Sequence, residues 1–260
     1  MLKKALFGGG IDSRATAWAQ AVASAGGFVS GARLRKVSSL IRALDACGAW
    51  TLRDDYAAYA GAENPTQALV TLKRRLTQVA NNSPTLGITG YTGNNTTAFI
   101  DTKWNAASGS WQYTQNLAAY GCYVAADPGV ATTKVLMGNS DGWSEIVFGS
   151  GGNITAGINQ SATPLNVSPA NRLGLLEVDR TGASAFQIFQ NGSSLGTGTT
   201  ASGAVANLNF YVLAANSAGG AVSPINSTIA MAFVGVPLSA SVQAAELQAW
   251  KPFLSLYGVP

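Results

Sequence analysis

The spacing of apolar positions changes once along the chain. From Asp12, the run IDSRATAWAQAVASAGG puts Trp18 and Val22 on one stripe among alanines, with Asp12 as N-cap and Gly26-Gly27 as the stop; it predicts a helix of about four turns. In SGARLRKVSSLIRALDACGAW, Ser30 is placed to cap, and Leu34, Val37, Leu40, Ile41 and Leu44 recur at three- and four-residue spacings. That stripe needs a surface to pack on. Trp50, Tyr56 and Tyr59 follow, then a short helix is expected over 66–75, and Asn81-Asn82-Ser83-Pro84 breaks the pattern. Residues 1–10 read as a flexible arm, with the glycines of LFGGGIDSR as a tether: the segment lacks Gly-Lys-Ser/Thr and follows no strand, so it is no phosphate loop.

Beyond residue 83 the helical period gives way to short alternating or apolar runs between Gly, Asn, Ser and Pro clusters. Strands are expected at 98–102, 115–125, 134–138, 145–148, 153–158, 172–179, 185–190, 210–215 and 228–234. Asn191-Gly192, after AFQIFQ, signals a tight hairpin because both residues tolerate positive φ. In LSASVQAAELQAWKPFLSLYG, Ser239 or Ser241 caps one helix or two short ones, with a stripe through Val242, Leu247, Trp250 and Leu254. The fold class that follows is mainly β, a jelly-roll sandwich preceded by a small helical segment. Residues 1–83 form the arm and helical docking segment, and 84–260 the sandwich with its C-terminal helix.

Composition narrows the chemistry. The chain has no histidine, which removes Ser-His-Asp and Cys-His catalysis and the commonest metal ligand. Its two cysteines, Cys47 in a helical and Cys122 in a strand segment, have no CxxC spacing and read as small apolar fillers. Only 11% of residues are charged, so the solvated surface is built largely from small neutral polar groups. Residues 1–75 hold eleven Lys/Arg against five Asp/Glu, whereas the rest hold five against seven. The basic excess fits either a solvated helical face or docking on an acidic surface; no specific nucleic-acid recognition is expected. No run reaches the ~18 apolar residues of a membrane span, and MLKKALFGGG makes a poor signal peptide, so a soluble chain without membrane insertion is expected.

Three stretches carry a resemblance: TGYTGNNTTAFIDTKWN (89–105), RLGLLEVDRTGASAFQIFQNGSSLGTGTTAS (172–202) and TIAMAFVGVPLSASVQAAELQAWKPFLSLYG (228–258). Their order resembles the concanavalin A-like lectin/glucanase (LamG-like) sandwiches of tailed-bacteriophage and prophage virion proteins. In those domains a strand ending Asp-Arg-x-Gly leads into one closed by Asn-Gly, and a late strand runs into Leu-Ser and a terminal helix. The helical prelude at 28–73 is similar too, so the resemblance covers roughly residues 28–258. It implies a virion structural protein on the particle surface, a tail, fibre or capsid decoration protein. Other virion proteins would be its partners, homo-oligomerisation would follow from the symmetry of virion sites, and cell-surface polysaccharide would be a possible ligand. Arg33, Arg35, Lys36 and Arg42 are the expected docking residues.

Glu177 and Asp179 alternate on a strand, so they share a face, as in the Glu-x-Asp-x-Glu motif of laminarinase-like glucanases. Retaining hydrolysis needs two carboxyl groups roughly 5–5.5 Å apart across the scissile bond. The third acidic position, which supplies the acid/base in those enzymes, is Thr181 here. A non-enzymatic display sandwich is therefore expected, with Glu177 and Asp179 on an exposed polar strand face and Asp179 or Arg180 tying down the turn. The alternative, a glycan hydrolase or depolymerase using Glu177 and Asp179, needs a further carboxylate such as Glu145. Trp104, Trp111, Tyr113 and Trp143 lie in or beside Gly/Ser/Asn-rich loops and are the candidates for stacking on sugars, with ordinary packing as the other reading. No cofactor is expected. Calcium held by Asp101, Asp127 or Asp141 stays open without a dense acidic motif to mark it.

Overall fold

In the computed structural model, which describes residues 10–160 and 164–260, the first two stripes form α1 (Ser13–Ser24) and α2 (Gly31–Ala46). Asp12 Oδ1 accepts from the Arg14 amide at 2.9 Å and Ser30 Oγ from the Arg33 amide at 3.1 Å, so both caps fall where the sequence puts them. The arm expected at 1–10 lies outside the described residues except for Gly10, whose carbonyl accepts from Arg42.

The chain then passes through α3 (Ala49–Leu52) into β1 (Arg53–Ala58), which pairs antiparallel with β17 (Thr228–Gly235). The N-terminal third thus contributes a strand to the sandwich, across the boundary expected at residue 83. Gly235 makes the pairing possible: a Cβ there would sit 2.6 Å from Arg53 Cα. The helix expected over 66–75 is shorter, α4 (Pro65–Leu69), because the Lys73 and Arg74 amides turn aside to Asp55 and Arg75 takes φ +58°.

Two sheets form the sandwich. The first runs, in order, β13 (Ser193–Gly198), β12 (Ala185–Gln190), β11 (Gly174–Gly182), β6 (Ala118–Ala126), β17, β4 (Gly90–Thr92) and β3 (Thr85–Gly87), with β1 also on β17. The second runs β10 (Leu165–Val167), β9 (Ile154–Gly157), β8 (Ser144–Phe148), β7 (Lys134–Asn139), β14 (Tyr211–Val212), β5 (Phe99–Asp101) and β2 (Val79–Asn81). A hairpin of β15 (Ala215–Ser217) and β16 (Gly220–Val222) joins it through a parallel pairing with β7. The predicted hairpin turn is present, with Asn191 at φ +52° and Gly192 at φ +77°.

Alternation on β11 shows how the layers stack. Leu176 and Val178 point between the sheets, while Leu175 points to the opposite face of the first sheet. That opposite face meets α1, α2 and the C-terminal helix α5 (Ala240–Ser255, capped by Ser239) in a second core of Trp18, Val37, Ile41, Tyr56, Phe233 and Trp250. The stripe of α2 has found its surface. Arg180 donates to the carbonyls of Gly182, Ala183 and Thr200, so it ties down the β11–β12 turn as expected. No helix among the described residues is long and apolar enough to cross a membrane.

Trp18 is fully buried and its indole N–H donates to the Val70 carbonyl at 3.0 Å, which pins α1 to the chain leaving α4. Trp18→Ala is expected to cost about 3–5 kcal/mol. Because the helices share a core with the sheet, urea denaturation followed by circular dichroism should show one transition moved to lower urea, not separate loss of the helices.

Candidate functional site

Glu177 and Asp179 do share a face, but it is not the exposed polar face the sequence suggested. They project from β11 towards α5, and both are almost fully buried. On α5, Gln243 and Glu246 lie three residues apart and face them, and from the start of β1 comes Arg53. The Arg53 guanidinium donates to Glu177 Oε1 at 2.5 Å, to Glu246 Oε2 at 2.8 Å and to the Val236 carbonyl at 2.9 Å. Gln243 Nε2 donates to Glu177 Oε2 at 2.7 Å, and the Tyr56 hydroxyl to Glu246 Oε1 at 2.6 Å.

Burial alone would lower the Arg53 pKa, but Glu177 and Glu246 outweigh it and hold the guanidinium charged. Glu177 therefore has both oxygens occupied by side chains and no open approach. It is a structural counter-ion. Glu145, the third carboxylate a hydrolase would need, lies on β8 in the other sheet. Its neighbours Ile146 and Phe148 point into the inter-sheet core, so Glu145 faces out of the far side of the sandwich, where Ser140 Oγ donates to it at 2.5 Å. Glu177 and Glu145 cannot flank one glycosidic bond.

Asp179 is different. Burial, and next the Glu177 carboxylate beside it, push its pKa well above the usual range and favour the protonated form. Its Oδ1 is buried without a hydrogen-bond partner. The side chain forms part of the wall of a cavity of about 510 Å³ between β11–β13 and the start of α5. The rest of the wall is mainly neutral: Thr181, Gln187, Thr197 and Gln243 supply hydroxyls and amides, and Phe189 a partly exposed ring.

The aromatic candidates are dispersed. Trp104 is fully buried, its N–H donating to Asp55 Oδ2 at 3.1 Å, and Tyr113 is buried with its hydroxyl on Asn159 Oδ1 at 2.8 Å. Neither has a ring face free for a sugar. Trp111 carries the Arg74 guanidinium 3.8 Å above its ring. Trp143, at φ +34° in the β7–β8 turn, keeps part of its ring exposed beside Val135, Val147 and Ala215.

The basic candidates on α2 also divide. Arg35 is exposed, Lys36 and Arg42 are half-buried, and Arg33 is buried. Asp127 is paired with Arg172 at 2.7 Å and Asp101 with Lys103 at 2.7 Å. Among the described residues no group of three or more His, Cys, Asp or Glu is placed to hold a metal ion. Sequence reasoning missed Phe189, Gln187 and Gln243 as cavity residues; the outward alternation of AFQIFQ was the available signal for the first two.

No protein-family model and no curated protein matches this chain. Among solved structures, Trypanosoma rangeli sialidase in complex with sialic acid aligns with a TM-score of 0.56 at 12% identity, over 85% of this chain and 40% of the sialidase chain. A mutant of that sialidase displaying trans-sialidase activity gives 0.55 at 13%, over 86% and 40%. The CBM40 of Ruminococcus gnavus IT-sialidase gives 0.43 at 12%, over 59% and 95%. The chain thus spans about 40% of the sialidase chains it resembles, and at these identities the likeness is one of fold: a mainly β sandwich.

Two outcomes follow from the buried cluster. Glu246→Ala leaves Arg53 short of a counter-ion and should cost about 3–5 kcal/mol, read as a lower urea midpoint. For Asp179, the raised folded pKa means that the native state keeps a proton the unfolded chain releases. Its contribution is therefore complete below the unfolded value near 3.8 and is lost as pH rises through the folded value. Asp179→Asn should flatten this fall and stabilise the protein at neutral pH relative to wild type, as measured by urea unfolding at a series of pH values.

Proposed function

We propose that this chain is a non-catalytic, carbohydrate-binding sandwich displayed on a phage particle as a tail, fibre or capsid decoration protein, and that its saccharide seat is the cavity beside Asp179. The observation that carries the reading is the buried Asp179 Oδ1, which lacks a hydrogen-bond partner, in a wall of hydroxyls and amides with an aromatic ring. A buried acceptor without a partner costs roughly 1–3 kcal/mol, which a ligand hydroxyl would offset. Sugar hydroxyls both donate and accept, so they match Thr, Gln and a protonated carboxyl alike. The ring of Phe189 offers a flat apolar surface for a pyranose face. The volume lies within the roughly 300–1,000 Å³ of small-ligand pockets.

Against the hydrolase alternative stands the saturation of Glu177 by Arg53 and Gln243, which leaves one carboxyl at the cavity where hydrolysis needs two. The virion setting is supported by the resemblance across residues 28–258, and recovery of the protein in soluble lysate instead of purified particles would count against it.

The test is a glycan array probed with the full chain, with products checked by mass spectrometry. Saccharide should be retained uncut, and Phe189→Ala should weaken binding about tenfold, the equivalent of ~1.4 kcal/mol. Released reducing ends that disappear in Glu177→Gln would establish the hydrolase instead. Binding unaffected by Phe189→Ala would move the seat elsewhere, with Trp143 the next residue to replace.

A further inference from the structure

A second cavity, of about 550 Å³, lies at the opposite edge of the first sheet, where α2 meets the segment before α4 and the β3–β4 turn. Arg33 reaches into it from the first turn of α2 and is 2% exposed. Its Nη1 donates to the Tyr257 hydroxyl at 2.9 Å and its Nη2 to the Ala58 carbonyl at 3.3 Å, but Nε has no partner. The guanidinium lies over the rings of Phe253 and Tyr257, 4.8 and 5.3 Å from their centroids, and Lys36 Nζ lies 4.9 Å from that of Tyr257. Among the described residues, Arg33 forms no ion pair with a carboxylate.

A buried guanidinium that bonds no carboxylate is costly, and Arg53, at the start of β1, shows how this protein pairs one when it can. Glu63 also lines the cavity, but its carboxylate is committed to the α2 N-terminus, accepting from the Ser30 amide at 2.8 Å, from the Ser30 hydroxyl and from Gln67 Nε2 at 3.1 Å. The wall also has an apolar side: Pro65, Leu86 and Ile88 line it, and Ile88 is 67% exposed.

We propose that this cavity is a docking site for a partner polypeptide, which inserts an acidic side chain against Arg33 and Lys36 and lays a flanking apolar side chain on Ile88. The buried cation selects a carboxylate. The exposed Ile88, beside Leu86 and Pro65, selects a carboxylate carried on a chain with an apolar neighbour, because a simple anion would leave Ile88 in water. Burial lowers the Arg33 pKa, and an inserted carboxylate would oppose that shift. The site shares no residue with the cavity beside Asp179, so either assignment can fail alone.

The probe is the peptide acetyl-Leu-Glu-Phe-amide, titrated into full-length protein carrying ¹⁵N-labelled arginine, with the Arg33 Nε–H resonance as readout. Saturable movement of that resonance is expected, with the glutamine analogue at least about tenfold weaker and Ile88→Ser, on the exposed rim, several-fold weaker without loss of fold. Lys36→Ala should also weaken the glutamate peptide while leaving the glutamine analogue unchanged. No saturable shift, equal response to the Glu and Gln peptides, or a response to acetate as strong as to the peptide would each overturn the proposal.

Discussion

Three consecutive charged residues, Arg53, Asp54 and Asp55, are buried at the start of β1, and the rest of the molecule is arranged around keeping them partnered. Arg53 needs two carboxylates and takes them from β11 and α5, which lie 124 and 193 residues further along the chain. Asp54 accepts the amides of Gln112 at 2.8 Å and Tyr113 at 2.9 Å, anchoring the loop before β6. Asp55 accepts the amides of Tyr56, Lys73 and Arg74 and the indole of Trp104. A register shift between Arg53 and Asp55 lets neighbouring side chains aim at such different targets. Well-packed apolar groups often serve stability as well as a buried ion pair. The triplet instead specifies position: it fixes which strand lies beneath which helix.

The same cluster governs what Glu177 and Asp179 can do. Arg53 supplies one positive charge to Glu177 and Glu246, so a further ionised carboxylate nearby would have no cation of its own. Burial, and next the Glu177 carboxylate, push the Asp179 pKa well above the usual range. Asp179 is thus an acid whose protonated form is favoured, at the edge of a closed ionic cluster where the start of α5 leaves the strands of β12 and β13 uncovered. This is chemistry for holding a hydroxyl, whereas two free carboxylates across an open cleft would be chemistry for cutting one.

The helices were legible because their signals are local. Asp12, Ser30 and Ser239 cap within three residues of themselves, and the stripes of α1, α2 and α5 repeat over several turns. Alternating or continuously apolar runs gave away β6, β11, β12 and β17. The strand β1 was hidden because Arg-Asp-Asp reads as a solvated loop, and only partners more than a hundred residues away make its burial acceptable. The three-residue strands β2, β3, β4 and β10 are too short for any period to show. The aromatic candidates failed for a related reason. Small and polar neighbours mark Trp104 as part of a loop, yet Asp55, 49 residues earlier, draws its indole inside.

The two cavities lie at opposite edges of one sheet. One is lined from β12 and β13 and the other from β3, and the sheet order puts five to six strand spacings between them, roughly 25 Å at about 4.8 Å each. A ligand seated beside Asp179 would therefore not obstruct a polypeptide seated against Arg33. Both are nonetheless tied to one rigid layer: α5 contributes Gln243 to the first cavity, and Tyr257, just past its end, closes the second over Arg33. The helix runs from one site to the other, and the ion pairs of Arg53 hold it to the sheet between them. Under the function proposed above, this separation would leave one edge free for a saccharide while the other is engaged by a polypeptide.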